Sequence, residues 1–360
     1  MAELSTEERL NLIRSVGEEV VTEEEMIELL DTKKSFNSYD GFEPSGQVHI
    51  AQGILRSINV NKMIAAGATF NMLVADWHGW ANNKLGGNLD NIQTAGHYLI
   101  EVWRLTGMDL EHVNFLWASD FVKDDEYWKK VMQIARNSTL KRIIRTAQIM
   151  GRLQSDALQA SQILYPCLQC ADIFHMEVDV CQLGVDQRKV NMLAREVGPK
   201  LFGSKPIVVS HHMVRGLNPP KASYSSLEEE LLDKKMSKSN PDAAIFMTDS
   251  ETQIKKKINK AYCPETVEDN PILEYTQYFI FEKYEKFKVE RPSKFGGDIE
   301  FGSYADLETS YVKGEVHPAD LKNAVAFYLN GLVQPVREAF ESNSKLRELR
   351  DQVLSFQVTR

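Results

Sequence analysis

Hydrophobic and polar positions follow two periods along this chain, and the switches between them locate its elements. Ser5 to Val20 and Glu23 to Leu30 carry apolar residues at helical spacing. Each has a Thr at or next to its start (Thr6, Thr22) and carboxylates in the first turn, which predicts two short amphipathic helices. An aromatic-rich segment begins at Ser35, and four short apolar runs follow: Thr69 to Ala75, Val113 to Trp117, Val178 to Leu183 and Pro206 to Ser210. Runs that are apolar along their whole length suit strands buried on both faces, and helical sequence separates each from the next. The expected class is α/β, with a parallel sheet covered on both sides. From about Asp249 no comparable strand is expected. The pattern there is helical (TQIKKKINKAY, NPILEYTQYFIFEKYEKF, HPADLKNAVAFYLNGLVQPVREAF) and is broken by the turn-rich insert ERPSKFGGDIEFGSYADLE. That change places a domain boundary near Asp249, dividing the chain into residues 1–248 and 249–360.

A length of 360 residues allows two domains at about 100–200 residues each. Apolar content of 43% and charged content of 26% exclude a disordered, collagenous or disulfide-stapled chain. No run approaches the roughly 18 apolar residues of a membrane-spanning helix, and the acidic, amphipathic start does not resemble a secretion signal. No membrane partner is expected. Four cysteines (Cys167, Cys170, Cys181, Cys263) are too few to staple the fold, so no structural disulfide is expected. The net charge of −9 should repel nucleic acid unless positive charge is clustered, and it is. Between Tyr127 and Ser155 stand Lys129, Lys130, Arg136, Lys141, Arg142, Arg145 and Arg152, with no Asp or Glu among them. Such a stretch can hold phosphate or can be an ordinary solvated helix face.

Two segments carry candidate chemistry. In SFNSYDGFEPSGQVHIAQG, residues 35–53, a strand runs into Pro44, Ser45 and Gly46 and then into a helix opening close to His49. Open α/β sheets bind ligands beyond the carboxyl ends of their strands, and a helix N-terminus offers N–H groups to phosphate oxygens. His49 could donate to that phosphate, and the small residues Ala51 and Gly53 would let a flat base approach. The second segment is Lys235-Met236-Ser237-Lys238-Ser239, beyond the expected last strand of the sheet. Two lysines with hydroxyls between them suit a mobile loop closing over a triphosphate, where one charge pair at about 4 Å is worth about 4 kcal/mol before desolvation. Read alone, each segment is equally compatible with a structural turn or a basic surface loop.

Taken together, P-S-G-x-x-H-I and KMSKS resemble the paired signature of the class I aminoacyl-tRNA synthetases. From roughly Glu23 to Phe340 the chain resembles the tyrosyl-tRNA synthetase family of the eukaryotic and archaeal kind. The resemblance implies a Rossmann-like catalytic domain over 1–248, with an insertion at about 120–160, and a C-terminal α-helical anticodon-binding domain over 249–360. It implies ATP-dependent activation of L-tyrosine, with Mg2+ on the phosphates, followed by transfer to the 3′ end of tRNA(Tyr). It also implies a cytoplasmic homodimer, with the basic stretch near the subunit contact and the tRNA acceptor arm.

Residue by residue, the resemblance assigns catalysis to His49, Gln52, Lys235 and Lys238, and ATP binding to these four with Gly46, Ala51, Met236, Ser237 and Ser239. In ILYPCLQCADIF, Tyr165, Gln169 and Asp172 recur at about one helical turn and share a face. With Tyr39 and Gln187 they would form the tyrosine pocket. Tyr39 and Asp172 would meet the phenol, and Tyr165, Gln169 and Gln187 the ammonium. His78 would line the pocket, Asp76 is a similar candidate, and Glu43 would contact the ammonium or cap the loop. Gln52 replaces the second signature histidine and can donate but carries no charge, a loss for which Lys238 could compensate.

Phe295 and His317 would stack on an anticodon base whose edge Asp320 reads. His317-Pro318-Ala319-Asp320 reads equally as a helix start. Lys255, Lys256, Lys257 and Lys260 suit phosphate contacts or a solvated face. CLQC has the spacing of half a metal site but lies in the pocket helix without a second pair, so no bound metal is expected. Three rivals remain at this point: a tryptophanyl enzyme of the same architecture, a degenerate RNA-binding relative, and a small-molecule nucleotidylyltransferase.

Overall fold

The computed structural model describes residues 4–151 and 157–357. Six strands form one sheet: β1 Gly17–Val21, β2 Phe36–Phe42, β3 Ala68–Val74, β4 Val113–Trp117, β5 Val180–Gly184 and β6 Ile207–His211. Their order is β1-β6-β5-β2-β3-β4. All neighbours run parallel except β1, which pairs antiparallel with β6. The sheet is therefore mixed, with a parallel body and one antiparallel edge. The central strands are the most deeply buried, β5 at every position and β3 at all but one, whereas the edge strand β4 is buried only at Val113.

The chain lays down β2, β3 and β4 in one direction, then returns to the other side of β2 for β5 and β6. The strand order thus reverses between β2 and β5, where Tyr39 sits opposite Cys181. In open α/β sheets the crevice at such a reversal is where ligands enter.

Two expectations are corrected. Ser5 to Val20 is not one helix. Ser5 caps a helix Thr6–Arg14 through a reciprocal bond with Glu8, and the chain then extends into β1. GEEVV is too short to propagate a helix alone, and β6 supplies a ladder for it nearly 190 residues later. Strand is also present after Asp249, because Phe287–Val289 and Ile299–Phe301 form an antiparallel pair around the turn-rich insert. Phe287, Val289 and Phe301 point into the core, and the backbone N–H of Lys288 donates to the Tyr328 hydroxyl.

The rest of this region is helical, dominated by Pro318–Ser342. Its buried face shares one apolar cluster with the helix Leu89–Leu105 of the sheet region, and Phe340 meets Tyr98 with ring centroids 5.2 Å apart. All four cysteines are free thiols. No helix among the described residues is long and apolar enough to cross a membrane.

Candidate active site

At the β2–β5 reversal opens a cavity of about 740 Å³. Tyr39, Glu43, His78, Tyr165, Gln169, Asp172 and Gln187 line it, together with His49, Ala51, Gln52 and all five residues Lys235 to Ser239. The expected catalytic and tyrosine-pocket residues, Asp76 apart, therefore face one space. Gly46 is set back from the wall, where its φ of 109° makes the turn after β2.

One group of residues surrounds Asp172. The helix Ala160–His175 is buried over nearly its whole girth from Tyr165 to Phe174, so the i, i+4, i+7 face of Tyr165, Gln169 and Asp172 is turned into protein rather than solvent. A carboxylate with a side chain only 1% exposed needs donors, and two are present. The Tyr127 hydroxyl donates to Asp172 Oδ1 at 2.8 Å, and His78 Nε2 lies 2.9 Å from Oδ2 without hydrogen-bond alignment. Burial alone would lower the His78 pKa, but the Asp172 charge and contact, helped by Glu43 and Asp76, raise it. Tyr127 lies in the helix Asp125–Arg136, which packs on the pocket helix.

Tyr39 is fully buried on β2, and burial, with nearby acidic groups including Asp172, pushes its pKa well above the usual phenol range. It stays a protonated donor. Gln169 donates to Gln187 Oε1 at 3.1 Å, and Gln187 donates to the Ile149 carbonyl at 3.1 Å. Those bonds leave Gln169 Oε1 and the Tyr39 hydroxyl buried without well-aligned partners. Orphaned polar atoms on a cavity wall are what a polar ligand satisfies.

A second group faces the opposite charge. The helix after β2 opens with a π-turn, Ala51–Leu55, and continues as Arg56–Ala65. His49 is held by backbone pairing with the segment after the lysine loop: Ile50 N–H donates to Ile245 O at 2.9 Å, and Met247 N–H to Val48 O at 2.9 Å. The first signature segment is thus tied to the stretch that follows the lysine loop. Burial, then the fields of Lys238 and Lys235, depress the His49 pKa well below its ordinary value, so the imidazole is neutral. Its Nδ1 accepts from Gln52 N–H at 3.4 Å, which leaves Nε2–H as the donor.

Gln52 presents a buried, unpartnered Oε1, and its carbonyl accepts from Trp103 Nε1 at 2.8 Å. Lys235 Nζ rests on Asp186 Oδ2 at 3.0 Å, and Lys238 Nζ donates to Ser45 Oγ at 3.1 Å. Burial, with Lys84 nearby and only Glu43 opposing, brings the Lys238 pKa down to about 7. Met236 is buried, while the Ser237 and Ser239 hydroxyls lie 2.9 Å apart.

Beneath the cavity, Arg56 donates to Asp40 Oδ2 at 2.7 Å, and it also bonds Gln182 and approaches His211 Nδ1 at 3.1 Å. Burial lifts the Asp40 pKa to about 7 in spite of Arg56. Sequence reading did not single out Tyr127, Lys84, Asp186 or this Asp40–Arg56 pair. Asp186 lies beside Gln187, and Tyr127 at the edge of the basic stretch, so both stood next to residues that drew attention.

Several of these residues have partners within the protein. Asp76 is not on the cavity wall; it accepts from Gln93 Nε2 and Ser119 N–H, each at 2.9 Å, and so joins two elements behind it. Glu43 is engaged within the protein, by Asn82 Nδ2 at 3.1 Å and Lys84 Nζ at 3.5 Å and by the Tyr165 hydroxyl. Gly53 does not face a base, because a Cβ there would meet Met247 Sδ at 2.8 Å; it permits close packing instead. Lys257 turns inward to Asp249 at 2.7 Å, while Lys255, Lys256 and Lys260 are exposed.

Within the basic stretch, Lys129 pairs with Glu126 and Arg142 with Glu196, and Arg152 lies outside the described residues. His317 is exposed and caps the helix Pro318–Ser342 by accepting from Ala319 N–H, with Asp320 in the first turn. The Phe295 side chain lies outside the described residues.

A family profile described as tRNA synthetases class I (W and Y) matches residues 31–334. Tyrosine–tRNA ligase 1, cytoplasmic, of Arabidopsis thaliana is 47% identical over 98% of this chain and 90% of that protein. Tyrosine–tRNA ligase 2, cytoplasmic, of the same plant is 48% identical over 98% of this chain but only 46% of that protein, so the chain spans less than half of that relative. The structure of a tyrosyl-tRNA synthetase from Pyrococcus horikoshii complexed with L-tyrosine superposes with a TM-score of 0.89, at 38% identity, over 97% of this chain and 100% of that one.

Proposed function

Because this chain belongs to the tyrosyl-tRNA synthetases of class I, we propose that the cavity activates L-tyrosine with ATP and passes the tyrosyl group to the 3′ end of tRNA(Tyr). The chain is an aminoacyl-tRNA ligase, and the tryptophanyl, non-enzymatic and nucleotidylyltransferase readings fall away. The observation that carries the substrate is the buried convergence of Tyr39 and Asp172 on one cavity, with Asp172 held by Tyr127 and His78.

A phenol seated there donates to Asp172 and accepts from Tyr39. Indole N–H could donate to Asp172 but has no oxygen for Tyr39, and phenylalanine satisfies neither. The ammonium goes to Gln169 Oε1 and the Tyr165 hydroxyl, with Gln187 holding the Gln169 amide in that orientation. This places the carboxylate toward His49 and the lysine loop.

The tyrosine carboxylate attacks the α-phosphorus, a new C–O–P linkage forms, and the bond to the bridging oxygen breaks to release pyrophosphate. No covalent bond to the protein is needed. His49 Nε2–H, Lys235 and Lys238 are the donors for charge that builds on the phosphates, and Gln52 supplies a neutral donor where a second histidine stands in other class I members. Both lysines must leave Asp186 and Ser45 to reach the phosphates, so loop movement belongs to the cycle. In the second step the terminal ribose hydroxyl of the tRNA attacks the tyrosyl carbonyl, and AMP departs.

Among the described residues no three His, Cys, Asp or Glu gather as a metal site. The cavity carboxylates Asp40, Asp186 and Glu43 are already held by Arg56, Lys235 and Lys84. Mg2+ is therefore assigned to the ATP phosphates as part of the substrate, and no step is routed through it.

The same proposal includes a division near Asp249 into a catalytic domain over 1–248 and a helical domain over 249–360, in which His317, Asp320 and Phe295 read the anticodon. The exposure of the His317 ring supports that reading, and its capping role is compatible with it. A homodimer in the cytoplasm completes the proposal, supported by the names of the Arabidopsis relatives for the compartment. Tyrosine-dependent exchange of labelled pyrophosphate into ATP tests the reaction, with tryptophan and phenylalanine as comparison substrates. Equal exchange with tryptophan, or none with tyrosine, would refute it.

A further inference from the structure

The lysine loop is rooted in a short backbone ladder. Gly216 N–H donates to Lys234 O at 2.8 Å, and Met236 N–H donates to Val214 O at 2.7 Å, so residues 214–216 and 234–236 move as one unit. Three residues of the helical region grip that unit. Asp269 Oδ1 receives Arg215 Nη1 at 2.5 Å and Lys234 Nζ at 2.8 Å. Glu274 accepts the Arg215 backbone N–H at 2.9 Å and pairs with its Nε at 3.2 Å, while the Tyr275 hydroxyl donates to Arg215 O at 2.9 Å.

Asp269 is the only one of the three that holds both strands of the ladder. It does so from a left-handed backbone conformation, φ 57°, which Asp and Asn tolerate better than other residues with side chains. Burial would raise its pKa, but Lys234 and Arg215 hold it below the ordinary carboxylate range.

Building on the proposed reaction, we infer that Asp269 is a positioning residue for adenylate formation. By clamping Arg215 to Lys234 it fixes the root from which Lys235 reaches either Asp186 or the phosphates. Asp269 lies on the wall of the same cavity, but its carboxylate is occupied by Arg215 and Lys234, so it acts through the neighbour of Lys235. Because Asp269 belongs to the helical region, the clamp also gives that region a direct hold on the catalytic loop.

The test is Asp269→Asn, which keeps shape and tolerates the left-handed backbone but removes the charge. Tyrosine-dependent pyrophosphate exchange should lose roughly tenfold in kcat while the tyrosine KM stays unchanged, the signature of a group aligned for the transition state. In a Lys235→Ala background the same change should have no further effect. Hydrogen exchange at the Gly216 and Met236 amides should quicken by roughly tenfold, with the helix Pro318–Ser342 unaffected.

The inference is overturned by wild-type kcat and wild-type amide protection in Asp269→Asn. It is equally overturned by losses that multiply with Lys235→Ala, or by a rise in tyrosine KM that matches the fall in kcat. A wild-type chain without exchange activity would sink the proposed reaction, and amide protection would still decide whether Asp269 clamps the loop.

Discussion

Replacing Asp172 by Asn isolates the contact on which the proposed substrate choice rests. The carboxylate is fully buried, takes the Tyr127 hydroxyl at 2.8 Å on Oδ1, and faces His78 on Oδ2, so neither oxygen can turn toward solvent. An amide of the same shape keeps one acceptor and turns the other into a donor. Three claimants, Tyr127, His78 and the substrate phenol, then compete for one oxygen. The substrate loses a bond to a charged acceptor, worth about 1.5–3 kcal/mol, which is roughly a 10- to 150-fold fall in kcat/KM for tyrosine. Phenylalanine has no such bond to lose, so its kcat/KM should stay level or rise. Pyrophosphate exchange with each amino acid reads both values, and a thermal melt reports whether the fold persists. Equal losses for tyrosine and phenylalanine would refute the reasoning, because they would make Asp172 a support for the helix rather than a reader of the hydroxyl.

The remaining predictions concern charge. Lys238 has a pKa of about 7, below that of an ordinary lysine, so it is charged below neutrality and loses its proton above it. The free-enzyme kcat/KM for ATP should fall as pH rises from 6 to 8, and Lys238→Arg should flatten that profile; an unchanged slope in the variant would assign the titration elsewhere. His212 is gripped by Glu18 and Glu274, each at 2.6 Å, and despite burial its pKa is raised to about 9. A raised folded-state value means that its stabilisation is complete below about 6.5, the ordinary histidine value, and is lost as pH climbs through 9. Urea midpoints should drop across that window in the wild type and not in His212→Gln. Arg56→Met strands the buried Asp40 carboxyl and should cost about 3–5 kcal/mol in unfolding free energy, and a loss under 1 kcal/mol would show that Asp40 simply protonates without penalty.

Most of the parallel sheet was legible because its strands are uninterrupted apolar runs between helical stretches, a pattern few other structures produce. β1 was not, since GEEVV has no preference of its own strong enough to announce a strand, and its partner β6 lies far along the chain. The short pair Phe287–Val289 and Ile299–Phe301 was hidden by the polar turn it encloses. At the site, motif residues could be named because their spacing is local: Tyr165, Gln169 and Asp172 on one helix, Lys235 and Lys238 on one loop. Partners that meet only in the folded chain left no such trace. Tyr127 reaches Asp172 across 45 positions and Asp40 finds Arg56 across a strand–helix turn, and neither pairing has a periodic signature. Lys257 shows the converse, since it looked identical to its neighbours Lys255 and Lys256, and only the helix's inward face distinguishes it.

In the proposed reaction, the uneven charge along the cavity favours one orientation of the amino acid. Around Asp172 the wall carries that carboxylate together with the Tyr39 and Tyr165 hydroxyls. Around His49 it is cationic: Lys84 is matched by Glu43 and Lys235 by Asp186, whereas Lys238 leans on an uncharged serine. Burial is the first cause of the depressed Lys238 and His49 values, and the neighbouring lysines add to it. A triphosphate reverses the balance. It draws Lys238 back to its charged form, gives Lys235 an anion better than Asp186, and leaves neutral His49 free to donate. A tyrosine placed backwards would set its carboxylate against Asp172 and its phenol among the lysines, losing at both ends. In the proposed reaction the field favours the same orientation that the orphaned Tyr39 hydroxyl and Gln169 oxygen favour by hydrogen bonding.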